Sequence, residues 1–261
     1  MNNAPIVPTW TRTQHGAIAV LTFARPPKNW MSLASMTELA DLLDVVAADE
    51  ETTVVMLTGG VDGYFIAHAD LDDLAIMAKG QRPPGDPHAW KRALGTLETM
   101  RQASVAAIDG QAWGGGCELS LACTMRIGSQ RTHMSQPEVS VGIIPGAGGT
   151  QRLPRVVGMA KGAELCMSGR RVFAEEAIAI GLLNDVLNDE SVANAGGFEA
   201  AALAWCERIA RWPQAAVFAA KRAVVEGLQL PLDEGLRLEA ELFRDLNSSD
   251  EARARNAAIA R

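Results

Sequence analysis

The sequence predicts an α/β fold that ends in a helical region. A strand over residues 16–23, a helix over residues 32–48 and a strand over residues 53–57 follow one another closely, which is the order of a βαβ-like unit. The chain has 261 residues, of which 48% are hydrophobic, so one large core can be buried. After about residue 197 the pattern becomes helical throughout.

Residue type and spacing define the first elements. The run G-A-I-A-V-L-T-F is rich in branched apolar residues and predicts a strand. Met36, Leu39 and Leu43 recur at helical spacing, which indicates an amphipathic helix. The run T-V-V-M-L is a short buried strand that stops at Gly59 and Gly60.

The middle of the chain alternates helices, loops and short strands. Asp70 is predicted to cap the helix L-D-D-L-A-I-M-A. Residues rich in Pro and Gly predict a surface loop over 79–87. The other predicted elements are helices over 88–101, 159–167 and 174–180 and strands over 105–108 and 182–187.

The last third divides into three predicted helices, over residues 198–211, 213–226 and 232–246. Proline at the start of the later two suits the first helical position. We therefore divide the chain into an α/β core, residues 1–197, and a C-terminal helical region, residues 198–261.

Composition excludes several classes of protein. The net charge is −7 and no run of Lys or Arg indicates nucleic-acid binding. The cysteines form no C-x-x-C pair, which predicts reduced, packed thiols and a cytoplasmic location. The N-terminal residues lack a signal-peptide pattern, and no apolar run reaches the ~18 residues of a membrane span. The cysteines are Cys117, Cys123, Cys166 and Cys206.

Residues 108–152 hold the strongest functional signal. A glycine triplet, residues 114–116, precedes Glu118, and Glu138 precedes Gly142 and further glycines. A helix that begins at the triplet would direct its free N–H groups and positive dipole end at a ligand. Such donors stabilise a developing oxyanion, and two nearby carboxylates can move protons.

These residues resemble the crotonase (enoyl-CoA hydratase/isomerase) superfamily, and within it the enoyl-CoA hydratases most closely. The matching runs are G-G-G-C-E-L at 114–119, Q-P-E at 136–138, Gly142, P-G at 145–146 and G-G-T-Q-R-L at 148–153. Several matches in the right order and spacing are far more specific than a lone glycine motif. The resemblance extends more weakly from about Ile18 to about Ser249.

The resemblance implies a crotonase-type spiral of ββα turns, with C-terminal helices that cover the site and form oligomer contacts. It implies hydration of a trans-2-enoyl-CoA, a reaction of fatty acid β-oxidation, with Glu118 and Glu138 as the catalytic pair. The N–H groups of Ala69 and Gly115 would form the oxyanion hole. The further substrate-binding positions that it implies are Ala67, His68, Asp70, Gly114, Gly142 and Pro145.

The resemblance also implies that no metal or other cofactor is required, that coenzyme A enters as part of the acyl-CoA thioester substrate, and that the protein forms a homotrimer or a dimer of trimers. Acyl chain length, pathway and which glutamate is protonated at rest stay open.

Three features depart from the family pattern. His68 replaces a common glycine, and it would be strained if that position required φ > 0. Trp30 stands where a small residue is usual and would narrow the pocket or pack a loop. The tail after Asp250, E-A-R-A-R-N-A-A-I-A-R, lacks the usual aromatic and Lys-containing end.

Other functions remain as alternatives. Both glutamates favour hydration over enoyl-CoA isomerisation, which can use one acid–base group. The three departures keep open a catalytically impaired acyl-CoA-binding protein. The run G-A-G-G-T-Q at 146–151 lacks the last glycine of a dinucleotide fingerprint, so a nucleotide-binding enzyme is a distant third. The four histidines, His15, His68, His88 and His133, lack metal-ligand spacing.

Overall fold

The structure, a computed structural model, describes residues 8–259. The residues before this range carry the prediction about a signal peptide, which lies outside the described residues. The strands are β1 (Trp10–His15), β2 (Ile18–Phe23), β3 (Val54–Gly59), β4 (Tyr64–Ile66), β5 (Ala103–Ile108), β6 (Gln111–Trp113), β7 (Met125–Ser129), β8 (His133–Ser135), β9 (Val172–Phe173) and β10 (Asp185–Leu187).

The helices alternate with these strands and then dominate the C-terminal part. They are α1 (Leu33–Ala48), α2 (Leu71–Ala78), α3 (Ala89–Thr99), α4 (Gly115–Ala122), α5 (Gly149–Val157), α6 (Met159–Ser168), α7 (Ala174–Ala179), α8 (Asp189–Ala195), α9 (Phe198–Ala210), α10 (Gln214–Gly227), α11 (Leu232–Asn247) and α12 (Asp250–Ile259). A 3-10 helix covers Glu138–Val141.

Two sheets share the strands. The larger has the order β1-β2-β3-β5-β7-β10 and is parallel except for the β1–β2 pair. The smaller has the order β4-β6-β8-β9 and is parallel except for the β8–β9 pair. Because β3, β5 and β7 are each followed by a strand of the smaller sheet, the chain winds as ββα turns. The predicted α/β spiral is confirmed.

Most predicted elements are present close to their expected bounds. Helix α1 begins after Ser32, whose hydroxyl accepts a hydrogen bond from the Ser35 N–H and so satisfies a free donor of the first turn. Its buried face includes Met36, Leu39 and Leu43. Burying each such side chain contributes about 1.5–3 kcal/mol.

The prediction about the two later prolines is wrong by one position. Pro213 and Pro231 precede the first residues of α10 and α11, as N-caps with extended ψ angles of 123° and 145°. An N-cap residue lies outside the helical region, so its missing N–H costs no intrahelical hydrogen bond.

The C-terminal helices join the core at two points. Helix α9 buries Ala202 and Cys206 in a second apolar cluster, against β2, β3 and β5. On α10, the Lys221 Nζ donates to the carbonyl oxygens of Leu97, Met100 and Gln102, at 3.0, 2.7 and 2.8 Å. Lys221 therefore ties α10 to the end of α3. The boundary at residue 197 stays a prediction.

Within residues 8–259, none of the helices combines the length and the apolar character that crossing a membrane requires.

Candidate active site

The glycine triplet forms the turn between β6 and α4. Gly114 has φ of +49°, a region that side chains rarely adopt, and α4 begins at the next residue, Gly115. Glu118 lies in the first turn of α4, and only 3% of its surface is exposed. The helix predicted to begin at the glycine triplet is therefore present, and its positive dipole end lies beside Glu118.

Ala69 and Gly115 bring two backbone N–H groups together. A Cβ added to Gly115 would lie 3.3 Å from the Ala69 nitrogen. On either side of Ala69, the His68 carbonyl and the Asp70 N–H are hydrogen-bonded to Met31. Successive N–H groups of an extended segment point in opposite directions, so the Ala69 N–H faces away from Met31. Among the described residues, neither the Ala69 nor the Gly115 N–H has an acceptor.

Two backbone donors favour the ionised form of Glu118 and partly offset its burial. Its Oε1 accepts hydrogen bonds from the Ala147 N–H at 2.7 Å and the Gly149 N–H at 2.8 Å. Burial raises the pKa of Glu118, while these two N–H groups and the Arg152 charge oppose that rise.

Glu138 has a different environment. It begins the 3-10 helix, and a Cβ added to Gly114 would lie 2.9 Å from its Oε1. The Gln136 amide, oriented with its nitrogen toward Glu138, lies 3.3 Å from both carboxylate oxygens. Burial first, and the Glu118 charge in addition, raise the pKa of Glu138 to about 7. Near neutral pH this carboxyl can both give and take a proton.

His68 and Trp30, two departures from the family pattern, contact each other. Their ring centroids lie 5.1 Å apart, and the Lys28 ammonium lies 5.2 Å from the Trp30 ring. His68 does not have the positive φ that would strain it, since Asn29 is the one non-glycine residue with positive φ between residues 8 and 259. His68 Nδ1 lies 2.5 Å from the Ala69 carbonyl oxygen, which fits a proton on Nδ1.

The other predicted substrate-binding residues differ in their surroundings. Ala67 uses its N–H and C=O in hydrogen bonds to Asn29 and Trp113. Asp70 caps α2 and pairs with Arg25, so its carboxylate is engaged by the protein. Gly142 is exposed and ends the 3-10 helix with φ of +80°. Pro145 is buried, and its Cβ would lie 2.7 Å from a Cβ added to Gly149.

Several residues of the site carried no predicted role. Ala147 and Gly149 supply the donors to Glu118, and Gln136 faces Glu138. The Cη2 atom of Trp90 lies 2.6 Å from a Cβ added to Gly115, so the indole is beside the two free N–H groups. The glycines of the G-A-G-G-T turn at 146–150 indicated that its backbone could approach another group closely. The spacing of residues along the chain does not show which N–H group donates to which carboxylate.

Within residues 8–259, no group of three or more His, Cys, Asp or Glu side chains lies close enough together to hold a metal ion. His133, for example, accepts a hydrogen bond from the Trp113 indole at 2.9 Å, which leaves it in a local aromatic contact.

Known proteins share this arrangement of sequence and fold. The enoyl-CoA hydratase/isomerase family model matches residues 13–259. A short-chain-enoyl-CoA hydratase of Clostridium acetobutylicum is 32% identical over 241 residues, covering 91% of this chain and 89% of the relative. A crotonyl-CoA hydratase of Syntrophomonas wolfei is 35% identical over 228 residues, covering 87% and 85%.

A solved structure gives the same result for the fold. The enoyl-CoA hydratase of Bacillus anthracis superposes with a TM-score of 0.86 at 32% identity, over 96% of this chain and 95% of that one. The family match covers nearly all of the described residues, including the glycine turns and both glutamates. This chain belongs to the enoyl-CoA hydratase/isomerase family.

Proposed function

We propose that this protein adds water reversibly to a trans-2-enoyl-CoA and gives a 3-hydroxyacyl-CoA. The observation that supports this most is the position of two carboxylates in unlike environments, Glu118 and Glu138. They lie beside the free backbone N–H groups of Ala69 and Gly115. The enoyl-CoA hydratase predicted from the sequence is confirmed by relatives of that name at 32–35% identity over most of the chain.

The thioester oxygen would accept hydrogen bonds from the N–H groups of Ala69 and Gly115. These donors would stabilise negative charge as it develops on that oxygen and so polarise the conjugated double bond. Because both donors belong to the backbone of packed segments, they need little reorganisation during the reaction.

The two glutamates divide the proton transfers. Glu118, with two N–H donors and Arg152 favouring its ionised form, would act as base toward the water that attacks C3. Glu138, whose pKa is raised to about 7, would give its proton to C2. Dehydration would use the same groups in the reverse roles.

The reaction written this way needs no metal or redox cofactor, and coenzyme A enters as part of the substrate. Isomerisation is the nearest alternative, but it can run with one acid–base group. The proximity of Glu118 and Glu138, whose charges interact, favours hydration.

Loss of enoyl-thioester absorbance tests the proposal, with crotonyl-CoA and a longer enoyl-CoA as substrates. Glu118→Gln and Glu138→Gln should each reduce turnover at least about 100-fold, the scale of a general acid or base. Glu241→Gln, an exposed site on α11, is the matched control. Turnover that survives both site mutations would contradict the assignment. Coenzyme A binding without any wild-type turnover would favour the non-catalytic alternative.

We also propose a homotrimer or a dimer of trimers. Large apolar side chains are exposed in two parts of the chain, and exposed apolar groups of this kind are typical of protein–protein contacts. In the loop after the 3-10 helix and in α6 they include Ile144, Met159 and Met167, and in the C-terminal helical region they include Leu228, Leu232 and Phe243. Sedimentation of the purified protein tests this assembly. A cytoplasmic location and a role in β-oxidation also remain proposals; the free state of all four cysteines fits the former.

A further inference from the structure

Arg152 lies behind the turn that holds Glu118. Its Nη1 donates to the Ala147 carbonyl oxygen at 2.8 Å, and its Nε donates to Glu98 Oε1 at 2.6 Å. The Ala147 carbonyl belongs to the peptide between residues 147 and 148. That peptide is flanked on either side by the two whose N–H groups donate to Glu118. Arg152 therefore holds the middle one of three consecutive peptides.

The turn has a shape that admits this guanidinium. Gly148 has φ of +99°, and a Cβ added there would overlap the guanidinium of Arg152. The same residue accepts the Arg152 N–H at 2.8 Å in the first turn of α5. Rotation of the peptide between residues 147 and 148 would move the N–H groups on both sides of it. The hydrogen bond from the guanidinium therefore constrains the direction in which both N–H groups donate to Glu118.

Glu98 is itself fixed in position. It lies in the last turn of α3, between Leu97 and Met100, whose carbonyl oxygens accept hydrogen bonds from Lys221 on α10. The Arg152 and Glu98 side chains are 21% and 39% exposed, so water reaches the pair and screens part of its attraction. Its geometric effect on the turn thus matters more than its Coulomb energy.

The charged and titratable groups around Glu118 come from several elements. Arg152 on α5 lowers the pKa of Glu118. The other groups that interact with Glu118 are Glu138 on the 3-10 helix, Cys117 on α4 and Cys166 on α6. Of the described residues that interact with Glu118, Arg152 is the one cation, with Glu98 behind it.

We propose that Arg152, held by Glu98, is a positioning residue that orients the 147–149 turn so that two N–H groups converge on Glu118. It acts through the backbone and contacts no reacting atom. Its effect on turnover rests on the proposed hydratase function, whereas its effect on the Glu118 carboxylate does not.

The experiment compares Arg152→Gln, Arg152→Lys and Glu98→Gln in the full-length protein. The control is Arg92→Gln, on the same helix as Glu98, where Arg92 pairs instead with Asp41, Asp44 and Asp86. Carbon-13 NMR of labelled glutamate carboxyls follows the titration of Glu118, assigned by its loss in Glu118→Gln. Initial rates with crotonyl-CoA give kcat and KM.

Arg152→Gln should move the Glu118 titration to higher pH and lower kcat about 10- to 100-fold with less change in KM, the scale of a small misplacement of a catalytic group. Arg152→Lys keeps the charge but cannot donate to Glu98 and to the Ala147 carbonyl as the guanidinium does. It should therefore bring the Glu118 titration closer to wild type than it brings kcat. Glu98→Gln should shift both readouts in the same directions by less. Arg92→Gln should match wild type.

Unchanged Glu118 titration and kcat in folded Arg152→Gln and Glu98→Gln would overturn the positioning role and leave the hydratase function intact. If Arg152→Gln does not fold by circular dichroism, the isosteric Glu98→Gln decides. If wild type hydrates no enoyl-CoA while the Glu118 titration still shifts in the variants, the proposed function fails and the positioning role stands.

Discussion

The Gly149 N–H donates to Oε1 of Glu118 across 2.8 Å, and it joins residues 31 positions apart in the chain. Glu118 lies in the first turn of α4, and Gly149 is the first residue of α5. One carboxylate therefore meets the N-terminal ends of two helices, where free N–H groups and helix dipoles favour negative charge. These donors favour the ionised form of a buried carboxylate, which is the form that the proposed base requires.

Gly115→Ala should impair the oxyanion site. The added methyl would lie 2.6 Å from Cη2 of Trp90 and 3.3 Å from the Ala69 nitrogen, so the two N–H donors would separate or the indole would move. We expect kcat with crotonyl-CoA to fall about 10²–10³-fold, as for the loss of one oxyanion donor. Gly95→Ala, in α3 with nothing within 4 Å of the added methyl, is the control. Equal rates in the two variants would contradict this role for Gly115.

The rate of hydration should depend on the ionisation of Glu138. Its pKa is raised to about 7, so the protonated fraction needed to supply C2 decreases as pH rises through that value. We expect kcat/KM for crotonyl-CoA to fall above about pH 7, up to tenfold per pH unit. Calorimetric binding of coenzyme A over the same range separates protonation from binding. A flat profile from about pH 6 to 9 would exclude Glu138 as the acid.

The same group should make stability depend on pH. Between pH 4.5, the ordinary pKa, and about 7, the folded state binds more protons at Glu138 than the unfolded state does. The free energy of unfolding therefore contains a contribution that is lost as pH rises through this window. As pH rises from 4.5 to about 7, wild type should lose about 1–3 kcal/mol of unfolding free energy that Glu138→Gln does not lose.

Urea unfolding at both ends of that window measures the difference. Glu241→Gln, an exposed glutamate on α11, should show the same pH dependence as wild type. A parallel pH dependence in Glu138→Gln and wild type would show that the Glu138 pKa is not raised in the folded protein.

The contact between Trp30 and His68 should appear as an energetic coupling. Their rings lie 5.1 Å apart, and aromatic pairs of this kind contribute about 0.5–1.5 kcal/mol beyond burial. A double-mutant cycle of Trp30→Ala and His68→Ala, measured by urea unfolding, should give a coupling of that size. Trp30→Ala with Phe173→Ala, whose rings lie in separate contacts, should be additive. Additivity in both cycles would mean that the contact between the two rings does not stabilise the fold.

Lys221→Met should destabilise the protein. The Lys221 Nζ donates to three carbonyl oxygens at the end of α3, and only 7% of the residue is exposed. Methionine fills similar volume but removes the ammonium donor from all three carbonyls, at a cost of about 2–4 kcal/mol in unfolding free energy. The Leu97 carbonyl keeps its hydrogen bond from the Ser104 hydroxyl at 3.4 Å. Arg222→Met, an adjacent exposed position paired with Glu226, should cost less than about 1 kcal/mol. Similar losses in both variants would show that Lys221 does not anchor α10.

Long elements with strong periodicity were predictable, whereas most of the shortest strands were not. Helix α1 and strand β3 have enough buried residues in sequence for their spacing to be read. Strand β1 is mostly polar and exposed, and its strand conformation depends on pairing with β2. Strands β4, β6 and β8 have three residues each, too few for a pattern to show.

The sequence by itself identified the family and the α/β spiral and predicted Glu118 and Glu138 as the catalytic pair, because glycine turns and carboxylates at set spacing are local features of the chain. Only the tertiary structure decided which N–H groups meet Glu118, how Arg152 holds their turn, and that Trp30 contacts His68. The unlike environments of the two glutamates also arise there. Burial and the approach of distant backbone donors set a carboxyl pKa, and neither is encoded in the spacing of residues along the chain.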